Sequence, residues 1–282
     1  MSDLNQRFIE KYGRLIVQFR RSPLAFVQYT WGLIPERDNL KFEKGKHLTW
    51  QQEDILRAVE KALKGEASKL ISIASGNGIG KTATAAWLLL WFLFCWKDSQ
   101  VAATAVSAQQ LFDVLWKECA KWINLMPPWM KDLYEWQGTH IRMKASPNTW
   151  FARAATARKE TPEALSGVHG EHPMLLGEEA SGIDDAVYTA AEGVLASEQV
   201  LMVLFSNPTR TEGYYYETHT LFKHLWQTLS FSSLDSPLVT KGFAELKAAK
   251  DGTDSDEYKI YVLGQFPSIL GMDKEGWMPV LL

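Results

Sequence analysis

From residue 69 onward, short apolar runs alternate with longer stretches whose apolar positions recur every three to four residues. The runs cover residues 69–74, 101–107, 174–177 and 200–206, with 226–233 as one more; the helical stretches cover 80–96, 108–126 and 184–195. That alternation predicts parallel strands joined by right-handed helical crossovers, an α/β fold with helices on both faces of the sheet. Residues 139–143 and 149–156 predict a further strand pair, and 243–249 and 256–262 predict terminal helices. Ahead of the first run, Phe8, Tyr12, Leu15, Ile16 and Phe19 recur at helical spacing, and a less regular stretch follows to residue 46. Thr49 predicts the N-cap of a helix running to about residue 63, with Gln52 placed to close a capping box. The expected organisation is an N-terminal helical segment (1–46) lying against an α/β domain (47–267), then a short tail (268–282).

The first apolar run leads into Ser75-Gly76-Asn77-Gly78-Ile79-Gly80-Lys81-Thr82, and a helical pattern follows at once. Strand, glycine-rich loop and helix in that order present inward N–H groups and a helix N-terminus to a phosphate chain. Gly76, Gly78 and Gly80 supply the permissive backbone. Lys81 is placed to follow the β- and γ-phosphates, and the Thr82 hydroxyl to ligate Mg²⁺. Ser75 stands where the usual pattern has glycine, a small residue for a smaller one. A glycine-rich turn of no function leaves the Lys-Thr pair unexplained, so the segment predicts nucleotide binding, with ATP and Mg²⁺ as the ligands.

Two more apolar runs end in polar groups. Residues 174–176 lead through Gly177, which interrupts the run, to Glu178 and Glu179. Strand ends deliver such acids to the C-terminal edge of a parallel sheet, where α/β ligands bind. In phosphate-loop ATPases the first acid holds the metal shell and the second polarises the attacking water, here Glu178 and Glu179. The first is more often Asp; Glu is one methylene longer, which shifts the metal shell. The run 200–205 ends in Ser206-Asn207-Pro208-Thr209-Arg210. Its small polar side chains are placed to sense a γ-phosphate, although Asn-Pro is also a common turn dipeptide.

These three constellations, with the stretch from Arg158 to Gly167 and with Asp235-Ser236-Pro237, together resemble the ATPase region of tailed-phage terminase large subunits, the motors that package DNA into a procapsid. The resemblance runs from about Pro23 to Pro267. It implies a three-layer P-loop NTPase fold of the RecA/ASCE kind with a mainly parallel central sheet. By position, it implies that Lys81 and Thr82 bind phosphate and Mg²⁺, that Glu178 is the metal carboxylate, and that Glu179 is the catalytic glutamate. Ser206 and Asn207 match the motif that couples hydrolysis to movement, and Gln51, after Trp50, matches an adenine-side glutamine. The helix start at Thr49 accounts for Trp50 and Gln51 equally well. The phosphate loop contains no arginine, and the Arg-Gly pair common before the acidic strand reads Ser166-Gly167. Arg158 is the best candidate for an arginine finger, with Arg153 and Arg210 as alternatives.

The family also implies double-stranded DNA, a portal protein and a terminase small subunit as partners, a ring of copies when active, and the cytoplasm of a bacterial host. Its members continue into a nuclease domain, whereas only about 15 residues follow Pro267 here, so ATP hydrolysis without DNA cutting is expected. Two other readings remain: an ATP-binding module of weak or absent turnover, and a helicase-like ATPase outside packaging.

Composition narrows this little. A net charge of −3 supplies no global basic field, yet a local patch can sit within a near-neutral total. Lys117, Lys121 and Lys131 read as a solvated helix face and its following loop. Two cysteines, Cys95 and Cys119, are too few for a disulfide framework or a zinc site. His169 and His172 lack partners at metal-ligand spacing. The most apolar stretch, residues 83–96, is too short to cross a bilayer, for which roughly 20 are needed.

Overall fold

The computed structural model describes residues 3–38, 41–156, 162, 168, 170–195 and 200–268. Two helices come first, α1 (Asp3–Phe19) and α2 (Pro23–Trp31). The Ser22 hydroxyl accepts from the Ala25 amide at 3.1 Å and caps α2, with Pro23 at its first position. Periodicity does not reveal α2, because Leu24, Phe26 and Val27 are buried on more than one side. Two short parallel strands, β1 (Ile34–Pro35) and β2 (His47–Leu48), then lead to α3 (Trp50–Leu63). The capping box forms as expected: the Gln52 amide donates to Thr49 Oγ1 at 3.2 Å, and the Thr49 amide to Gln52 Oε1 at 3.0 Å.

The central sheet holds β3 (Leu70–Ser75), β4 (Gln100–Thr104), β5 (Tyr134–Trp136), β6 (His140–Met143), β7 (Phe151–Ala154), β8 (Pro173–Glu178), β9 (Leu201–Ser206) and β10 (Gln227–Phe231). Their order is β10-β3-β9-β8-β4-β7-β6-β5, parallel through β7 and antiparallel for the last two. Every residue of β8 and β9 is buried, as befits parallel strands covered on both faces. The expected strand pair is β6 and β7; β5, too short to show an alternation, extends it to the sheet edge.

On one face lies α4 (Lys81–Cys95), buried continuously from Thr84 to Cys95 because helices cover it on its outer side. Beside it run a π-helical segment (Gln110–Trp116) continuing into α5 (Lys117–Asn124), and the short α6 (Pro128–Lys131). The N-terminal helices join this same core. Phe19, Phe26 and Phe94 are buried together, Trp91 Nε1 donates to the Phe19 carbonyl at 2.8 Å, and Tyr12 stacks on Trp129 at 5.0 Å. The segment before residue 47 therefore shares one hydrophobic core with the α/β domain.

The opposite face carries α7 (Asp185–Leu195) and α8 (Tyr214–His219); α9 (Lys241–Asp251), α10 (Asp256–Tyr258) and a π-helical turn (Lys259–Leu263) follow β10. Helix α8 is held to β3 by polar contacts within an otherwise apolar layer. Tyr215 Oη donates to the Ile73 carbonyl at 2.7 Å, Thr218 Oγ1 to Ser72 Oγ at 2.7 Å, and His219 Nε2 lies 2.9 Å from Ser72 Oγ. Burial, reinforced by Lys223, pushes the His219 imidazole down to about 4. An unfolded-chain histidine titrates near ~6.5. Between those values only the unfolded chain takes up the proton, so the stability present above the unfolded value is lost as pH falls toward the folded one. We expect denaturant midpoints to drop through this window by up to about 3 kcal/mol of stability, with the wild-type slope exceeding that of His219→Gln by about one proton. Equal slopes would place the acid sensitivity elsewhere.

Candidate nucleotide-binding site

The phosphate loop leaves the end of β3 and enters α4 at Lys81, as its order in the sequence requires. Gly78 and Gly80 take the left-handed φ values of 79° and 86°. The first half of the loop is already bound to the protein. Gly76 N–H donates to the Phe231 carbonyl at 3.0 Å, Asn77 N–H to the Tyr261 carbonyl at 2.8 Å, and the Asn77 carbonyl accepts from Ser233 Oγ at 2.7 Å. A side chain at Gly76 would run into Ser233 and the Val262 carbonyl. Of the residues expected to bind phosphate, Ser75, Gly76 and Asn77 thus anchor the loop. The amides of Gly78, Ile79, Gly80, Lys81 and Thr82 form the turn around the helix N-terminus, where the unpaired N–H groups and the helix dipole attract an anion.

Lys81 Nζ donates to Ser75 Oγ and to the Gly76 carbonyl, both at 3.0 Å. The serine that replaces the usual glycine therefore holds the lysine at the base of the loop. Burial lowers the Lys81 pKa, and the nearby Glu179 and Glu178 oppose that shift. Gln52, the capping-box residue of α3, reaches the far side of the loop, its Nε2 donating to the Gly80 carbonyl at 3.4 Å.

Glu178 ends β8 in the buried interior, close enough to the Thr82 side chain for it to favour the ionised carboxylate. Its Oε1 has no hydrogen-bond partner among the described residues. Burial pushes its pKa up to about 8 against the opposing pull of Lys81, and the neighbouring Glu179 charge adds to the rise. Gly177 does not interrupt the strand: β8 runs through it, and a side chain there would meet Leu204 of β9 at 2.8 Å. Among the described residues, Glu179 is one of two non-glycine positions with positive φ, at 52°, and it opens the short turn Ala180–Gly182.

Ser206 and Asn207, at the end of β9, touch both sides of this arrangement. Asn207 Nδ2 donates to the Ser75 carbonyl at 2.6 Å, and Ser206 Oγ accepts from the Ser181 amide at 3.0 Å. Gln51 is fully buried, and neither atom of its amide has a partner among the described residues. Trp50 packs edge-to-face on Phe231 and donates its indole N–H to the Asp235 carbonyl at 3.0 Å.

The arginines are not gathered in. Arg158 and His169 lie outside the described residues. Arg153 sits on β7, four strands from β3, or about 19 Å at the usual strand spacing. Arg210 is exposed, one residue after Thr209 at the rim of the site. Of the surface lysines, Lys117 pairs with Asp113 and Lys121 with Glu118, each at 2.7 Å. Among the described residues no three His, Cys, Asp or Glu side chains form a metal cluster. Ser233, Tyr261 and Gln52 escape the motif reading because each contacts the loop from a distant element; only Gln52 carries a local signal, its capping box.

No family model matches the chain. Among curated proteins it is 28% identical over 270 residues to the probable terminase, large subunit, of Enterobacteria phage P7, covering 90% of this chain and 53% of that protein. The chain thus spans about half the length of this relative. Among solved structures it resembles the large terminase ATPase domain of Thermus phage P74-26, with a TM-score of 0.57 at 15% identity, covering 77% of this chain and 92% of that one. A large terminase from a thermophilic bacteriophage, solved with ADP, superposes with a TM-score of 0.61 at 13% identity, covering 77% of this chain and 53% of that one. The structural likenesses establish the fold, and the sequence match extends along nearly all of the chain. The chain is therefore similar in sequence to a phage terminase large subunit and similar in fold to the ATPase domains of large terminases.

Proposed function

We propose that this chain hydrolyses ATP and that the hydrolysis drives movement of double-stranded DNA, as in packaging. The observation that carries the reading is Glu178: a buried carboxylate with a partnerless oxygen, within electrostatic reach of Thr82 at the head of α4 and of Lys81. A structural role leaves that oxygen unexplained, since an unsatisfied buried polar atom costs about 1–3 kcal/mol. The oxygen donors of Thr82 and Glu178 suit Mg²⁺, which they would hold and which would supply charge neutralisation to the phosphates.

The chain's own groups divide the remaining work. The N–H groups from Gly78 to Thr82 cradle the phosphates, and Lys81 moves from Ser75 Oγ and the Gly76 carbonyl to the γ-phosphate. Glu179 orients a water and accepts its proton as the water oxygen attacks Pγ and the bond to the β-phosphate oxygen breaks. Gln51, whose amide offers N–H donors on one side and a carbonyl acceptor on the other, reads the adenine edge. Ser206 and Asn207 carry the change at the phosphate loop toward neighbouring elements. Arg158 or Arg210 supplies positive charge to the transferring phosphoryl group. Portal protein, small subunit and further copies of this chain in a ring complete the working assembly, in the host cytoplasm. No described helix is long and apolar enough to cross a membrane.

A second reading has one observation in its favour. Burial pushes the Glu178 carboxyl up to about 8, and the neutral form that this favours suits a module that binds nucleotide and turns it over slowly. Steady-state ATP hydrolysis with Mg²⁺, with and without double-stranded DNA, separates the two. The motor reading expects DNA-stimulated turnover and a loss of at least about 100-fold in Lys81→Ala. ATP binding with no turnover under any condition supports the slow module instead.

A further inference from the structure

We infer that Ser181 is a positioning residue for Glu179, fixing the turn that carries the glutamate to the β9 end that also holds the phosphate loop. The inference rests on the reading of Glu179 as the group that activates water.

Glu179 has left-handed φ and ψ of 52° and 41°, a conformation that side-chain-bearing residues seldom adopt without support. Its support comes from the next three residues. Gly182 N–H returns to the Glu179 carbonyl at 2.9 Å, and Tyr188 Oη donates to the Ala180 carbonyl at 2.8 Å. These bonds shape the turn; beyond the β8–β9 ladder that ends at Glu178 and Phe205, Ser181 makes the hydrogen bonds among the described residues that tie the turn itself to the end of β9. The Ser181 amide donates to Ser206 Oγ at 3.0 Å. The Ser181 hydroxyl accepts from Thr209 twice, from its amide at 3.2 Å and from its Oγ1 at 3.0 Å. The Thr209 amide is shared with the Asn207 carbonyl at 3.0 Å, and the Asn207 side chain holds the Ser75 carbonyl at 2.6 Å.

A continuous hydrogen-bonded path therefore runs from the first residue of the phosphate loop, through Asn207 and Thr209, to the residue two places after the glutamate. Ser181 is buried, so water does not replace its bonds when the hydroxyl is removed. Without the hydroxyl, the turn and the 206–209 segment are joined by the Ser181 amide alone, and the Glu179 carboxylate loses its fixed placement relative to the loop. Misplacement of a reacting group by about 1 Å costs turnover rather than ground-state binding.

The test is steady-state kinetics and fluorescent-nucleotide titration on Ser181→Ala, Ser181→Thr and Thr209→Val, each alone and the first also combined with Glu179→Gln. Wild type against Lys81→Ala establishes ATP hydrolysis independently, so failure of the ATPase reading shows there and not in the Ser181 ratios. We expect Ser181→Ala to lower kcat on the order of tenfold with KM and nucleotide Kd within about twofold. Ser181→Thr, which keeps the hydroxyl, recovers most of kcat. Added to Glu179→Gln, Ser181→Ala has no further effect, because there is no base left to place. Thr209→Val removes one of the two bonds to the hydroxyl and shows a smaller loss of the same kind; it carries the test if Ser181→Ala does not fold. A lowered melting temperature with kcat unchanged, or a full tenfold loss that persists in the Glu179→Gln background, would overturn the inference.

Discussion

Glu179→Gln is expected to lower ATP turnover on the order of 1000-fold while nucleotide binding survives. The substitution keeps the side-chain length and is no worse suited to the left-handed backbone at that position. What it removes is the proton acceptor: an amide can orient the attacking water but cannot take its proton. It also removes a charge that pushes the Glu178 pKa upward and supports the protonated form of Lys81. Neutralising Glu179 therefore leaves Glu178 easier to ionise, which favours its proposed role as metal carboxylate, and binding of Mg·ATP is expected to hold or tighten. Single-turnover hydrolysis set beside equilibrium binding of an ATP analogue reads both effects. A variant with turnover within tenfold of wild type would remove Glu179 from the chemistry and leave Glu178 as the only acid at the site.

The second large effect concerns a position that no motif marks. Gly264, at φ 67°, closes the π-helical turn after α10 and lies directly on the phosphate loop. A Cβ there would fall 2.6 Å from the Gly76 nitrogen and 2.7 Å from the Ser75 Cα, and would press on the Phe231 carbonyl as well. All three are backbone atoms of packed elements, so none can rotate aside. Gly264→Ala should cost more than about 3 kcal/mol of stability, combining left-handed strain with a backbone clash. It should also weaken nucleotide binding, because the bond from the Gly76 amide to the Phe231 carbonyl lies at the point of collision. Gly65→Ala is the control: its φ is 76° but nothing lies within 4 Å of the added carbon, so it bears only the strain of about 1 kcal/mol. Thermal unfolding and nucleotide titration of the two variants make the comparison. Equal losses would show that packing against the loop contributes nothing.

The two predictions differ in where their grounds are found. The role proposed for Glu179 has its grounds in the sequence, where an apolar run ends in two acids downstream of a glycine-rich loop. Gly264 has none there, since its neighbours Ser75, Gly76 and Phe231 come from two other elements. The same contrast runs along the chain. The capping box at Thr49 and Gln52 closes between residues three apart, and both the cap and its bonds follow from local chemistry. That Gln52 also reaches the Gly80 carbonyl depends on how α3 lies over the sheet. The strands of the parallel core stand within a residue or two of their expected bounds, save that β4 ends at Thr104, three residues short, because continuous apolar runs between helices are their signature. Helix α2 and strand β5 escape notice, one apolar on several sides and the other only three residues long.

Consecutive residues determine the strand-loop-helix unit that builds the phosphate site, the pair of acids at a strand end, and the alternation that makes the sheet parallel; each rests on backbone geometry and spacing within a few positions. Tertiary structure alone decides that Lys81 rests on Ser75, that Glu178 is buried deeply enough for its pKa to rise, that Ser233 and Tyr261 fasten the loop from behind, and that Arg153 stands four strands away from it. The reason is physical: burial, desolvation and long-range hydrogen bonds are fixed by strand order and by which elements cover each face, and those follow from the packing of the whole core.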